Sequence, residues 1–215
     1  MMKPAAIFFD HDGTLVDTEP LWGQAKTALA AQFGGTWTKQ DTLDSLGVSV
    51  QFTIDRLHDK GVTLNGAKIE AWLSGYVAKL RTEQQVILLP GIEQLLAQVR
   101  QAGIPSAIVT NATAEVAQIT ADAAPGTFSF VISNADVSAP KPDPQPYLLA
   151  AERLGLDPHQ CLVLEDSPSG VTSALAAGMK VIALPGEKAV EPNLATAYLR
   201  HQQVTLEKII EVFNS

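Results

Sequence analysis

The chain has 215 residues, 15 basic and 23 acidic, for a formal net charge of −8, and is 46% hydrophobic with 18% charged residues. That composition excludes a disordered chain, and the length suits one large domain or a domain carrying a smaller insert. The acidic balance argues against a broad nucleic-acid or anionic-membrane surface, while leaving room for a small basic pocket. A single cysteine, Cys161, excludes an intramolecular disulfide and points to the cytoplasm.

The first apolar stretch, Pro4 to Phe9, is too short for a signal-peptide core, and Asp10-His11-Asp12 interrupts it. No stretch reaches the ~20 apolar residues that a membrane span needs. Ala5-Ala6-Ile7-Phe8-Phe9 runs into a charged, glycine-bearing turn, and this predicts a strand buried on both faces. No buried strand is evident from residue 17 to 88. Residues 21–33, 51–60 and 68–81 read as helices, the last with Ile69, Trp72, Leu73 and Tyr76 at helical spacing. The simplest organisation is a helical insert, residues 17–88, dividing a domain made of residues 1–16 and 89–215. Asp17 to Pro20 and Leu89-Pro90-Gly91 are its expected hinges.

Strand and helix alternate after the insert. Ile92, Leu95, Leu96 and Val99 mark a helix closed by Gly103-Ile104-Pro105. Ser106-Ala107-Ile108-Val109 and Phe130-Val131-Ile132 are predicted strands, and Tyr147, Ala150, Ala151 and Leu154 mark a helix stopped by Gly155. Cys161-Leu162-Val163-Leu164 and Val181-Ile182-Ala183-Leu184 are further strands. Leu206, Ile209, Ile210 and Phe213 make a last helix with Thr205 as N-cap. This order predicts right-handed βαβ units and a parallel sheet, an α/β fold.

In such sheets, ligands sit outside the carboxyl ends of the strands, where Asp10 and Asp12 would both project. Two carboxylates this close after a buried strand favour a cation with oxygen ligands, and Mg²⁺ is the physical expectation. The alternative is a capped loop in which both acids accept from backbone amides. Taken singly, three later segments read blandly: Thr110-Asn111 as a cap before a helix near Ala114, Lys141 as a solvated lysine, and Glu165-Asp166 as a helix N-terminus. His11, His58, His159 and His201 are scattered, so zinc is not expected, and no glycine-rich nucleotide fingerprint occurs.

Together these segments resemble the haloacid dehalogenase superfamily. Asp10-His11-Asp12-Gly13-Thr14 is similar to its first motif and Thr110-Asn111 to its second. Lys141, in Ala139-Pro140-Lys141-Pro142-Asp143, resembles the third, and Glu165-Asp166-Ser167-Pro168-Ser169-Gly170 the fourth. The resemblance implies a Rossmann-like core with the 17–88 insert as a cap, and a Mg²⁺-dependent phosphatase acting on a small phosphorylated metabolite such as a sugar phosphate. Asp10 would be the nucleophile and Asp12 the acid and base. Thr110, Asn111 and Lys141 would bind the phosphoryl group. The metal would lie against Asp10, the Asp12 carbonyl and Asp166, with Glu165 nearby. Thr18, Gly47 and Val50 would be cap residues facing the substrate.

Three positions depart from the family pattern. His11 stands where an apolar residue is common, either as a bystander or as a contact to the leaving group. Pro140 replaces a frequent glycine, and Val50 stands where phosphoglucomutases of the family carry arginine. A sugar phosphomutase is the near alternative. A receiver-type signalling module is remote, because its phosphate acceptor follows an internal strand in a chain without an insert. A dehalogenase is disfavoured, because those members lack the second aspartate. A monomer or weak dimer, binding neither nucleic acid nor membrane, is expected.

Overall fold

The computed structural model describes residues 1–45, 50–83, 86–186, 190–191 and 194–215. In chain order the elements are β1 (Ala6–Phe9), α1 (Glu19–Gln32), α2 (Lys39–Asp44), α3 (Val50–Asp59), α4 (Gly66–Glu83), α5 (Ile92–Gln101), β2 (Ser106–Val109) and α6 (Ala114–Ala123). There follow β3 (Val131–Ile132), α7 (Gln145–Leu154), β4 (Cys161–Glu165), α8 (Pro168–Ala176), β5 (Lys180–Ala183), β6 (Ala197–Tyr198) and α9 (Leu206–Phe213). The chain divides into two compact units, Met1–Asp17 with Val86–Ser215, and Thr18–Gln85.

The first unit is built on a parallel sheet in the order β3-β2-β1-β4-β5-β6. Every residue of β1, β2 and β4 is buried, which is why these strands read as unbroken apolar runs. Side chains alternate between two cores. Ile7, Phe9, Ile108, Leu162, Leu164 and Ile182 join the faces of α5 and α9, through Leu95, Val99, Ile209 and Val212. Ala6, Phe8, Val109, Val163 and Val181 meet α7 and α8 through Tyr147, Ala150, Val171 and Ala174. Truncating a fully buried ring such as Phe8 to alanine would cost about 3–5 kcal/mol. Thr205 caps α9 as expected, its side chain accepting from the Lys208 N–H.

The connectivity fixes where a ligand can sit. From β1 the chain builds outward through β2 and β3, then returns to place β4 on the other side of β1. The carboxyl ends of β1 and β4 therefore flank the point where strand order reverses. Where the chain leaves and re-enters this unit, Val16 and Leu88 form an antiparallel bridge, and the Leu89 N–H donates to the Leu15 carbonyl at 2.8 Å.

The second unit contains α1 to α4 among its described residues. Helix α2 was not expected, since its six residues carry no apolar stripe. A capping box makes it: the Thr38 side chain accepts from the Asp41 N–H, and the Asp41 carboxylate accepts from the Thr38 N–H. Asp41 also accepts from Arg56 at 2.7 Å and pairs with Lys60 at 2.9 Å. Burial works against its charge, but these hydrogen bonds prevail and hold the carboxyl below the usual range.

Candidate active site

The sheet's hydrogen bonding places Asp10 and Thr110 just past the ends of β1 and β2. The Asp10 N–H donates to the Leu164 carbonyl at 3.0 Å, and the Thr110 N–H to Ile132 at 2.9 Å. Asp10, Thr110, Glu165 and Asp166 therefore stand on neighbouring strand ends.

Lys141 reaches this row from a loop and is itself buried. Its Nζ donates to Asp10 Oδ1 at 2.6 Å, to the Val109 carbonyl at 2.8 Å and to Glu165 Oε1 at 2.5 Å. Those three acceptors match the three hydrogens of an ammonium. Burial works to lower the Lys141 pKa, but the charges of Asp10 and Glu165 outweigh it, and the net direction is upward.

Glu165 is fully buried and fully engaged. Besides Lys141, its Oε1 accepts from the Tyr147 hydroxyl at 2.8 Å. Its Oε2 accepts from the Asp166 and Ser167 amides, each at 3.2 Å, and from Ser167 Oγ at 3.0 Å. A Cβ at Gly170 would strike this carboxylate, so the start of α8 needs glycine there. Gly13, at φ +77°, leaves similar space for the Asp166 carboxylate, as does Gly186.

Side-chain oxygens of Asp10, Glu165 and Asp166 lie within 4.8 Å of one another. Three carboxylates against one ammonium leave a formal charge of −3 + 1 = −2 in a nearly buried cluster. The protein resists that charge. Burial, then Glu165, pushes the Asp10 carboxyl up to about 7 despite Lys141. Burial, then Asp10 and Glu165, pushes Asp166 up to about 9. An all-oxygen donor set carrying two excess negative charges fits a hard divalent cation.

Asp12 follows on the turn, with its side chain 34% exposed and Oδ2 at 3.3 Å from His11 Nδ1. The turn is tied by the Gly13 N–H to the Val16 carbonyl at 2.8 Å and by Leu15 N–H to His11 carbonyl at 2.9 Å. Thr110 is buried, and its Oγ1 accepts from the Ala112 N–H at 3.0 Å. The Asn111 carboxamide is engaged with the backbone of Lys141, accepting from its N–H and donating to its carbonyl, both at 3.1 Å. In the second unit, Thr18 is buried at the N-cap of α1, and Val50 opens α3 with most of its surface exposed. Gly47 lies outside the described residues.

Tyr147 was legible in the sequence only as one position on a helix face. Its ring lies 5.0 Å from Lys141 Nζ, and its hydroxyl joins the carboxylate network. A tyrosine at a fully buried position was itself the signal, because its hydroxyl must find a partner.

A family model described as haloacid dehalogenase-like hydrolase matches residues 7–184. The CbbY protein of Rhodobacter capsulatus is 34% identical over 86% of this chain and 87% of its own length. Hexitol phosphatase A of Escherichia coli (strain K12) is 36% identical over 85% of this chain and 84% of its own. The crystal structure of CbbY from Rhodobacter sphaeroides in complex with xylulose 1,5-bisphosphate has a TM-score of 0.79 at 27% identity, covering 94% of this chain and 96% of that one. With the family model matching residues 7–184 and its candidate site at the carboxyl ends of β1, β2 and β4, the chain belongs to the haloacid dehalogenase-like hydrolases.

Proposed function

We propose that the protein is a Mg²⁺-dependent phosphatase that hydrolyses a small phosphorylated metabolite, a sugar or sugar-alcohol phosphate, through an aspartyl phosphate. The observation that carries this reading is the Asp10 carboxylate, held by Lys141 at 2.6 Å beside Glu165 and Asp166. Asp10, the main-chain carbonyl of Asp12 and Asp166 would hold the cation, with Glu165 beside them. When bound, it supplies the positive charge that lets an anionic carboxylate approach an anionic phosphate.

The side chains account for the rest. An Asp10 oxygen attacks phosphorus, the bond to the leaving oxygen breaks, and Asp12 gives that oxygen its proton, releasing the alcohol. Asp12 then takes a proton from water, whose oxygen attacks the same phosphorus. Asp10 is restored and inorganic phosphate leaves. Lys141 offsets charge on Asp10 and on the transferring group, and the Thr110 hydroxyl offers a hydrogen bond. Asn111 serves by placing Lys141.

The names of the relatives, a hexitol phosphatase and a protein crystallised with a pentulose bisphosphate, support the substrate class. The insert, with Thr18, Gly47 and Val50, is assigned to substrate selection, and the lone cysteine supports a cytoplasmic setting. Among the described residues no helix is long and apolar enough to cross a membrane. The test is phosphate release from a panel of sugar, sugar-alcohol, nucleotide and glycolytic phosphates, with Mg²⁺ and with excess chelator. Metal-dependent turnover confined to sugar-like phosphates is expected. Undiminished turnover in chelator, or none on any phosphomonoester, would overturn the reading.

A further inference from the structure

The fold returns a histidine from near the end of the chain to the turn after β1. His201 Nε2 hydrogen-bonds to the Gly13 carbonyl at 2.9 Å, across 188 positions of sequence. A carbonyl can only accept, so Nε2 carries the proton and the imidazole donates. The histidine rides on the short helical turn His201–Gln203, which packs on Gly91 at the start of α5; a Cβ there would come within 3.1 Å of the His201 carbonyl. Just beyond it, the Leu206 N–H donates to Gln98 Oε1 of α5 at 3.0 Å. The donor is therefore carried on a braced segment. Val204, Ile209 and Val212 already seat that segment in the core, so docking it does not call for an imidazole.

Gly13 is a point where the backbone needs holding. Its φ is +77°, a region glycine enters as readily as the opposite one, so the residue itself fixes neither peptide beside it. Two hydrogen bonds do. The Gly13 N–H, on the peptide that carries the Asp12 carbonyl, donates to the Val16 carbonyl at 2.8 Å, and the Gly13 carbonyl, on the next peptide, accepts from His201. The same glycine lies against Asp166, whose Oδ2 a Cβ at Gly13 would strike. We propose that His201 is a positioning residue for the divalent cation, fixing the Gly13 backbone so that the Asp12 carbonyl and the Asp166 carboxylate keep their places around the ion. This rests on the reading of those two groups as metal ligands. The imidazole acts through the peptide next to a ligand, and hydrogen-bond partners of that kind are worth about 10–100-fold in metal affinity.

The experiment titrates Mg²⁺ into the metal-free full-length chain by isothermal titration calorimetry and, in parallel, follows phosphate release against Mg²⁺ concentration. It compares the wild type with His201→Phe, His201→Gln and Asp166→Ala. His201→Phe keeps a ring without the donor, and is expected to raise the Kd for Mg²⁺ about tenfold. Turnover lost at low Mg²⁺ should return as Mg²⁺ is raised. His201→Gln, whose amide nitrogen can stand near the position of Nε2, should recover most of the affinity. If the phenylalanine variant does not fold, His201→Ala carries the test beside His201→Gln.

An unchanged Kd for Mg²⁺ in the variants without a donor, whatever happens to Tm, would overturn the proposal in favour of a tie that only holds the C-terminal segment. Equal weakening in His201→Gln would also overturn it, since the donor would then be irrelevant. Asp166→Ala separates the two levels of inference. An unchanged Kd there would remove the metal reading itself. A weakened one beside an unchanged His201→Phe would leave the metal at Asp166 and remove His201 from its support.

Discussion

Asn111 and Lys141 hold each other by the backbone, the Asn111 carboxamide accepting from the Lys141 N–H and donating to its carbonyl, both at 3.1 Å. The pair fixes where the lysine stem begins, and the stem then threads into a buried cluster with three acceptors at its tip. Asn111→Ala should therefore lower kcat by about 10–100-fold, the scale of a misplaced catalytic group, with little change in fold. Steady-state kinetics beside a circular-dichroism melt would check it.

Tyr147→Phe removes one donor from Glu165 Oε1 and keeps the ring that packs against Lys141. The lost hydrogen bond should cost about 1 kcal/mol, roughly 2–4 °C in Tm for a chain of this size. Turnover should fall only a few-fold, since Lys141 still holds the same oxygen. A thermal melt at fixed Mg²⁺ measures the first effect and initial rates the second.

Without metal, stability should fall as pH rises. The carboxyls of Asp10 and Asp166 are raised in the folded protein to about 7 and about 9 from 3.8. Between the unfolded and folded values the native state binds more protons than the unfolded state, so each added pH unit favours unfolding. The stability present below about pH 4 is lost progressively, and the loss is complete once pH has passed the raised values. Melts of the chelated protein from pH 5 to 9 should show Tm descending, and saturating Mg²⁺ should flatten the slope.

Much of this architecture was legible because buried parallel strands read as continuous apolar runs, as Ala6–Phe9 and Cys161–Leu164 do. What escaped had no such signature. Helix α2 depends on the reciprocal caps of Thr38 and Asp41, and β6 is only Ala197 and Tyr198. The acidic pair at Asp10 and Asp12 could be read from one turn. The clamp between Asn111 and Lys141, and the five donors around Glu165, exist only once segments distant in the chain meet.

The acceptor of the phosphoryl group should be water. A mutase needs a cationic grip on a second phosphate, yet residues 46–51 include no lysine or arginine. The nearest following base, Arg56, already donates to Asp41 at 2.7 Å and pairs with Asp44 at 3.6 Å. With β-glucose 1-phosphate and a trace of glucose 1,6-bisphosphate, any substrate loss should match free phosphate, with no activation by the bisphosphate. Glucose 6-phosphate appearing faster than phosphate would identify a mutase.

In the proposed reaction Asp10 carries the phosphoryl group. The most direct measurement is rapid acid quench with a ³²P-labelled substrate, followed by peptide mapping and repeated on Asp10→Asn. Label is expected on the peptide containing Asp10, at no more than one phosphoryl group per chain. No label is expected in Asp10→Asn, whose turnover should fall by more than ~10³-fold, equivalent to about 4 kcal/mol of barrier. Label on another residue, or an Asp10→Asn enzyme within tenfold of the wild type, would contradict it.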